Sequence, residues 1–158
     1  MWPTLSKTVI VLLMFVGACA GSTGGGIKVS RLIILFKGAR HETQRMLHPK
    51  QIKKITMDNR LVEHETVRGV NNFFLIYIFI FVASLLVISL DKFGMVTNFT
   101  AVSATINNVG PGLEAVSPVG NFADFSVLSK LVFIFDMLIG RLEIFPILLL
   151  FAPSTWKK

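Results

Sequence analysis

Asn107-Asn108-Val109-Gly110-Pro111-Gly112 lies between two hydrophobic stretches, each long enough to cross a bilayer, and its reading decides the fold. Non-helical backbone at membrane depth is tolerated only where protein or a water-filled cavity satisfies its N–H and C=O groups. Such backbone is also the material of ion filters, because rings of carbonyl oxygens can replace the hydration shell of a cation. Gly110 and Gly112 allow dihedrals that turn successive carbonyls toward one axis, and Pro111 stiffens the exit. Gly-Pro-Gly is equally a signal for an ordinary extracellular turn. Spacing alone leaves filter and turn both open.

The surrounding sequence places the run in a polytopic membrane protein. Over half of the 158 residues are apolar, 14 of them Phe. A soluble domain of this size buries about 70% of its unfolded surface and needs charged residues to cover the rest. Here long stretches carry none. The net charge of +7 is concentrated: ten of the sixteen Lys and Arg fall between Lys28 and Arg68, beside four acids. No regular aromatic stacking residues accompany them, so a nucleic-acid platform is not expected. A basic loop between membrane segments reads as the cytoplasmic side. The single cysteine, Cys19, makes no intrachain disulfide and reads as a small buried hydrophobe.

Working outward, residues 71–90 form a charge-free transmembrane helix of about twenty residues. Residues 97–106 are too few to span. Thr97 or Asn98 is suited to cap a short helix that ends at Asn107. Residues 113–125 return as an extended, mildly acidic segment, and residues 127–151 form another long helix. Upstream, residues 8–36 are hydrophobic but interrupted by Gly21-Ser22-Thr23-Gly24-Gly25-Gly26. Each helical glycine costs about 1 kcal/mol against alanine, so the expectation is helix, flexible break, helix. Residues 38–70 read as a basic cytoplasmic loop, perforce with the 91–126 segment outside and the C-terminus inside. The fold class expected is therefore an all-α membrane protein with three transmembrane helices, a re-entrant pore helix and a filter loop. Its parts are a broken transmembrane helix (1–37), the basic loop (38–70), a helix–pore loop–helix repeat (71–152) and a cytoplasmic tail (153–158).

Other signals carry less. A signal-peptide reading of Lys7 and the apolar run to Cys19-Ala20 is disfavoured, because Gly-rich and then apolar sequence follows. Gly21 to Lys28 lacks the Gly-Lys-Ser/Thr of a phosphate-binding loop. Gly17, Gly21 and Gly25 have GxxxG spacing, with close packing favoured for Gly17 alone. His41-Glu42 and His64-Glu65 lack the second histidine of a metalloprotease motif. Asn98-Phe99-Thr100 matches a glycosylation pattern that a re-entrant helix would hide. Asp136 is expected either to pair with a basic residue of another helix or to lie near water. Nothing supports nucleophilic or metal catalysis, so an enzyme is not expected.

Three segments together identify a family. Cys-Ala-Gly-Ser-Thr-Gly-Gly-Gly-Ile-Lys (19–28), Asn-Asn-Val-Gly-Pro-Gly (107–112) and Gly-Arg-Leu-Glu-Ile-Phe-Pro (140–146) resemble, in order and spacing, the TrkH branch of the Trk/Ktr/HKT potassium-uptake family. Members contain four pore-loop repeats, so the resemblance implies that this chain holds the last helix of repeat three and all of repeat four, a C-terminal fragment. It implies filter carbonyls from Asn108, Val109 and Gly110, with K+ at Asn108 and Val109 and Asn107 closing the pore helix. It implies a gate made of Gly21, Ser22, Thr23, Gly24, Gly25, Gly26 and Arg141. The implied cargo is K+, with no covalently bound cofactor. The implied setting is the inner (plasma) membrane of a bacterium-type cell, with a homodimer and a cytosolic nucleotide-binding regulatory subunit (TrkA-like) as partners. Nucleic acid is not among the expected partners.

Arg141 also stands out without the resemblance. An unpaired arginine near the middle of a membrane helix costs at least about 2.5–3.5 kcal/mol, so it should face the bundle interior or water. Glu143 points to another face and is a poor partner on the same helix. The expectation is a positive barrier below the filter, against the alternative of a structural partner for acids or helix-end carbonyls. For the chain as a whole, the alternative to potassium translocation is a non-conducting fragment or a structural subunit of a multi-subunit cation channel or transporter.

Overall fold

The computed structural model describes residues 3–19, 21–22, 24–48, 56–57 and 60–142. The expected positions Thr23, Glu143 and the tail 153–158 lie outside the described residues. Helix α1 (Thr4–Met14) leads into a non-helical loop and then α2 (Val29–Leu47). A two-residue antiparallel pair, β1 (Thr56–Met57) with β2 (Arg60–Leu61), precedes α3 (His64–Ile88). Short helix α4 (Met95–Ile106), a 3-10 turn (Glu114–Val116) and α5 (Val127–Leu142) complete the order.

Helix α3 has 25 residues, about 37 Å at 1.5 Å per residue, and is long and apolar enough to cross a membrane on its own. Its buried stripe, Val70, Phe73, Tyr77, Ser84 and Ile88, repeats every three to four residues or their multiple and faces the other helices. The opposite face, with Leu75, Phe79 and Leu86 exposed, is equally apolar, as expected where the surroundings are lipid or further membrane helices. Helix α3 starts at His64, seven residues before the hydrophobic stretch begins, and α2 runs on to Leu47. Both helices therefore extend into the segment read as a loop. Hydropathy marks where a helix leaves an apolar medium; the backbone ladder continues beyond that point into polar surroundings.

Helix α4 is enclosed on nearly all sides: Thr97, Asn98 and every residue from Thr100 to Ile106 are buried. Its burial is possible because three of its four hydroxyls are satisfied within the helix. Thr100 Oγ1 donates to the Val96 carbonyl (2.8 Å), Ser103 Oγ to Phe99 (2.7 Å) and Thr105 Oγ1 to Ala101 (3.0 Å), the i−4 bonding open to Ser and Thr. The small side chains let neighbours close in. Around Ile106, Ile27, Phe73, Tyr77 and Ile139 form one apolar cluster, and Ile88, Val102, Val116, Phe125 and Phe133 form a second. Neither expected cap is used. The helix begins two residues earlier, after Gly94, with no side-chain cap bond. Thr97 Oγ1 instead donates to Glu114 Oε2 (2.8 Å), and Asn98 Nδ2 reaches back to the Phe93 carbonyl (3.4 Å). These side chains tie the helix to the segments on either side of it, which is a tertiary choice that a local cap rule does not see.

Candidate functional site: the filter turn and the loop beneath it

The chain leaves α4 through a left-handed cap. Asn108 has φ +53°, its N–H bonds the Thr105 carbonyl (3.0 Å), and the Val109 N–H bonds the Ala104 carbonyl (2.9 Å). This is the Schellman pattern, with asparagine where glycine is commonest. The cap takes up carbonyls of the last helical turn. Among the described residues, no donor bonds the carbonyls of Asn107, Asn108, Val109 or Gly110. Residues 108–111 are exposed, while Asn107 is buried. Gly110 holds φ +103°, a conformation L side chains rarely adopt. Beyond it, the Gly112 N–H bonds the Val116 carbonyl (2.7 Å) and the Leu113 N–H bonds Thr100 Oγ1 (3.0 Å), so the exit strand is pinned back onto α4. The negative end of the α4 dipole, about half an elementary charge, lies at this turn.

A side chain of α3 and a backbone carbonyl of α5 hold the two asparagines. Tyr77 Oη donates to Asn107 Oδ1 (2.8 Å), and Asn107 Nδ2 donates to the Ser103 carbonyl (2.9 Å). Asn108 Nδ2 donates to the Met137 carbonyl of α5 (3.2 Å). Gly140 brings α5 so close that a Cβ there would collide with the Ile106 carbonyl and approach Asn108 Nδ2 to 2.7 Å. Tyr77 was not singled out in the sequence. The available signal was its being the single tyrosine of the chain, a hydroxyl placed mid-span in an otherwise apolar helix.

Below the turn, residues 15–28 form a loop closed at its neck. Val16 and Ile27 make a parallel bridge, Gly17 N–H bonds the Ile27 carbonyl (2.9 Å), and Val29 N–H bonds the Ala18 carbonyl (3.2 Å). Gly21 and Gly26 take φ +87° and +81°. The loop packs by backbone against backbone: a Cβ on Gly17 would lie 2.7 Å from the Gly25 carbonyl oxygen, and one on Gly25 would lie 2.5 Å from that of Asn107. Close packing therefore involves Gly25 as well as Gly17, whereas Gly21 faces open space. Cys19 is exposed, since this segment docks through its glycines and not through its side chains.

A cleft of about 30 Å³ opens between loop and helices, lined by Ser22, Gly24, Gly26, Lys28, Arg31 and Arg141 among others. Arg141 lines the same cleft as the glycine loop, is exposed, and among the described residues has no ion-pair partner. Lys28 and Arg31 were not expected there. Arg31 stands 4.1 Å above the Phe73 ring, a cation–π geometry. Asp136 is fully buried, and among the described residues it meets no basic residue: Ser84 Oγ donates to its Oδ1 (2.7 Å), and Oδ2 has no partner there. Among the described residues no cluster of His, Cys, Asp or Glu is placed to hold a metal ion. The oxygens on offer to a cation at the turn are those of the backbone.

Two apolar helices flanking a short buried one, which ends on carbonyls that no described residue bonds, define a pore-loop membrane protein. The comparisons place it further. Residues 1–158 match the TrkH family, described as cation transport protein, and the chain belongs to that family. It is 39% identical over 157 residues to the Trk system potassium uptake protein TrkH of Salmonella typhimurium, covering 99% of this chain and 32% of that protein. To TrkG of Escherichia coli it is 35% identical over 156 residues, with the same coverage of 99% and 32%. The crystal structure of the potassium transporter TrkH from Vibrio parahaemolyticus superposes with a TM-score of 0.86 at 39% identity, over 99% of this chain and 33% of that one. The chain thus spans about a third of the length of the curated relatives it matches. The family is one of ion transporters, not of enzymes.

Proposed function

We propose that this chain contributes one quarter of a potassium filter, and the gate beneath it, to a potassium-uptake protein of the bacterial inner membrane. The observation that carries the reading is the turn at 107–110, where, among the described residues, four successive carbonyls bond no donor at the end of a buried helix. Carbonyls left unbonded at membrane depth need a ligand, and a dehydrated K+ is one that carbonyl rings accept. Asn107, Asn108, Val109 and Gly110 would coordinate from the backbone, with K+ held at Asn108 and Val109. The loop at 21–26 and Arg141 would form the barrier below, with Lys28 and Arg31 adding positive charge to the same cleft. A homodimer and a cytosolic nucleotide-binding subunit docking on the basic surface around 37–70 belong to the same proposal.

The test is Gly110→Ala in the complete transporter. Within this chain a Cβ at Gly110 meets nothing within 4 Å, so here the substitution acts through backbone conformation. Holding alanine in that sparsely populated region costs about 1–3 kcal/mol, and the filter should relax away from it. Potassium uptake by transport-deficient cells should fall at least about fivefold, the equivalent of about 1 kcal/mol. Uptake at the wild-type level would overturn the filter reading.

A further inference from the structure

We infer that Tyr77 is a positioning residue for ion selectivity, acting through Asn107 as the joint between filter turn and glycine loop. The inference rests on the filter reading above and adds a residue of the outer helix to it. Tyr77 is 5% exposed, its ring stacks on Phe73 at 6.4 Å, and its hydroxyl is spent on Asn107 Oδ1. The same side-chain amide is held from the other end by its bond to the Ser103 carbonyl. Asn107 is therefore fixed by two elements at once, α3 and α4.

Its backbone is engaged as well. Gly25 presses on the Asn107 carbonyl so closely that no Cβ fits between them, and a Cβ on Gly26 would stand 3.3 Å from Asn107 Oδ1. Asn107 thus touches the pore helix, the outer helix, the filter and the gate loop. Tyr77 is the contact from the outer helix; its ring borders the cleft beneath the turn, while its hydroxyl reaches the turn only through the Asn107 side chain.

Removing the hydroxyl leaves a buried amide oxygen without a donor, which the structure can relieve only by rotating the side chain or drawing in water. Either response loosens the peptide between Asn107 and Asn108. A filter that sorts ions by the positions and number of its carbonyls loses discrimination when they gain freedom, while still passing ions.

The experiment uses Tyr77→Phe in the complete transporter, expressed in cells lacking potassium uptake, with K+ uptake and its competition by Na+ measured together. The K+/Na+ discrimination ratio should fall about three- to tenfold while maximal K+ uptake changes less than about twofold, the scale of one lost neutral hydrogen bond. The ratio does not depend on how much protein folds, so reduced expression leaves the outcome decided. An unchanged ratio would overturn the inference. So would an equal further fall when Tyr77→Phe is added to Asn107→Ala, since Tyr77 would then act by another route. A wild-type protein that takes up no potassium would remove the filter reading first, and this inference with it.

Discussion

Replacing Gly25 by alanine probes the contact between the glycine loop and the proposed filter turn with a single methyl group. The added Cβ would lie 2.5 Å from the Asn107 carbonyl oxygen, 2.8 Å from its carbonyl carbon and 2.9 Å from Asn108 Cβ. Carbon atoms settle about 3.5–4.0 Å apart, so loop and filter must separate by about 0.6 Å or more along that line. Neither side yields freely. The loop is backed by Gly17, whose own Cβ position is 2.7 Å from the Gly25 carbonyl oxygen, and Asn107 is held by Tyr77 and Ser103. Overpacking of this kind costs about 1–3 kcal/mol, which as a change in ion affinity is about fivefold to a hundredfold. Two glycines of the same loop serve as references. Gly24→Ala meets only Ala18 Cβ at 3.3 Å and Ser22 Oγ at 3.5 Å, and Gly21→Ala meets nothing but strains φ +87°. The assay is K+ uptake with Na+ competition for the three variants of the complete transporter. Gly25→Ala should weaken K+ affinity and discrimination together, Gly24→Ala should change both least, and Gly21→Ala should alter maximal uptake with discrimination intact. Wild-type affinity and discrimination in Gly25→Ala would refute the argument that loop and filter share a rigid contact.

Arg141→Ala should raise cation flux about three- to tenfold, or about 0.7–1.4 kcal/mol, a partial release because Lys28 and Arg31 remain in the cleft; isotope flux into vesicles measures it, and unchanged flux refutes the barrier. Asp136→Ala leaves the Ser84 hydroxyl without its buried acceptor and should cost about 1–3 kcal/mol of stability. Asp136→Asn keeps an acceptor and should melt close to the wild type, as thermal unfolding in detergent would show. Asp91, in the segment after α3, is held below the usual carboxylate range by the Ser129 hydroxyl, with the Ser126 N–H also bonded to it. A depressed native pKa stabilises above the unfolded value and is lost as pH falls through the native one. Asp91→Asn should therefore lower the melting temperature slightly at neutral pH and flatten the acid side of the profile, wild type and variant converging below about pH 4.

What was legible in the sequence is what depends on composition within a short window. The glycine run at 21–26 and the turn at 107–112 announce non-helical backbone because no other residue type sits there cheaply, and the apolar stretch at 71–90 announces a crossing. Element ends were less legible. His64 to Val70 are polar enough to read as loop, yet they continue the α3 ladder, because a backbone hydrogen bond is indifferent to whether the side chain above it prefers water. Least legible were the pairings over distance. Tyr77 with Asn107 and Ser84 with Asp136 are separated by 30 and 52 positions, and no local pattern encodes them.

These distant pairings bear on how a turn so rich in freedom is kept in one shape. Asn108 and Gly110 both sit at positive φ, and the four carbonyls of 107–110 bond no donor among the described residues, so the turn has few backbone bonds of its own to define it. Its definition comes from outside: Tyr77 on α3, Met137 on α5, Thr100 on α4 and Gly25 in the loop each hold one point of it. A turn built this way keeps its oxygens available because other elements supply the rigidity that intrinsic hydrogen bonds would otherwise give. The same arrangement makes the turn responsive, since a displacement of the loop at Gly25 reaches the Asn107 carbonyl without any intervening side chain. Rigidity from the helices and sensitivity to the loop are thus two consequences of one geometry.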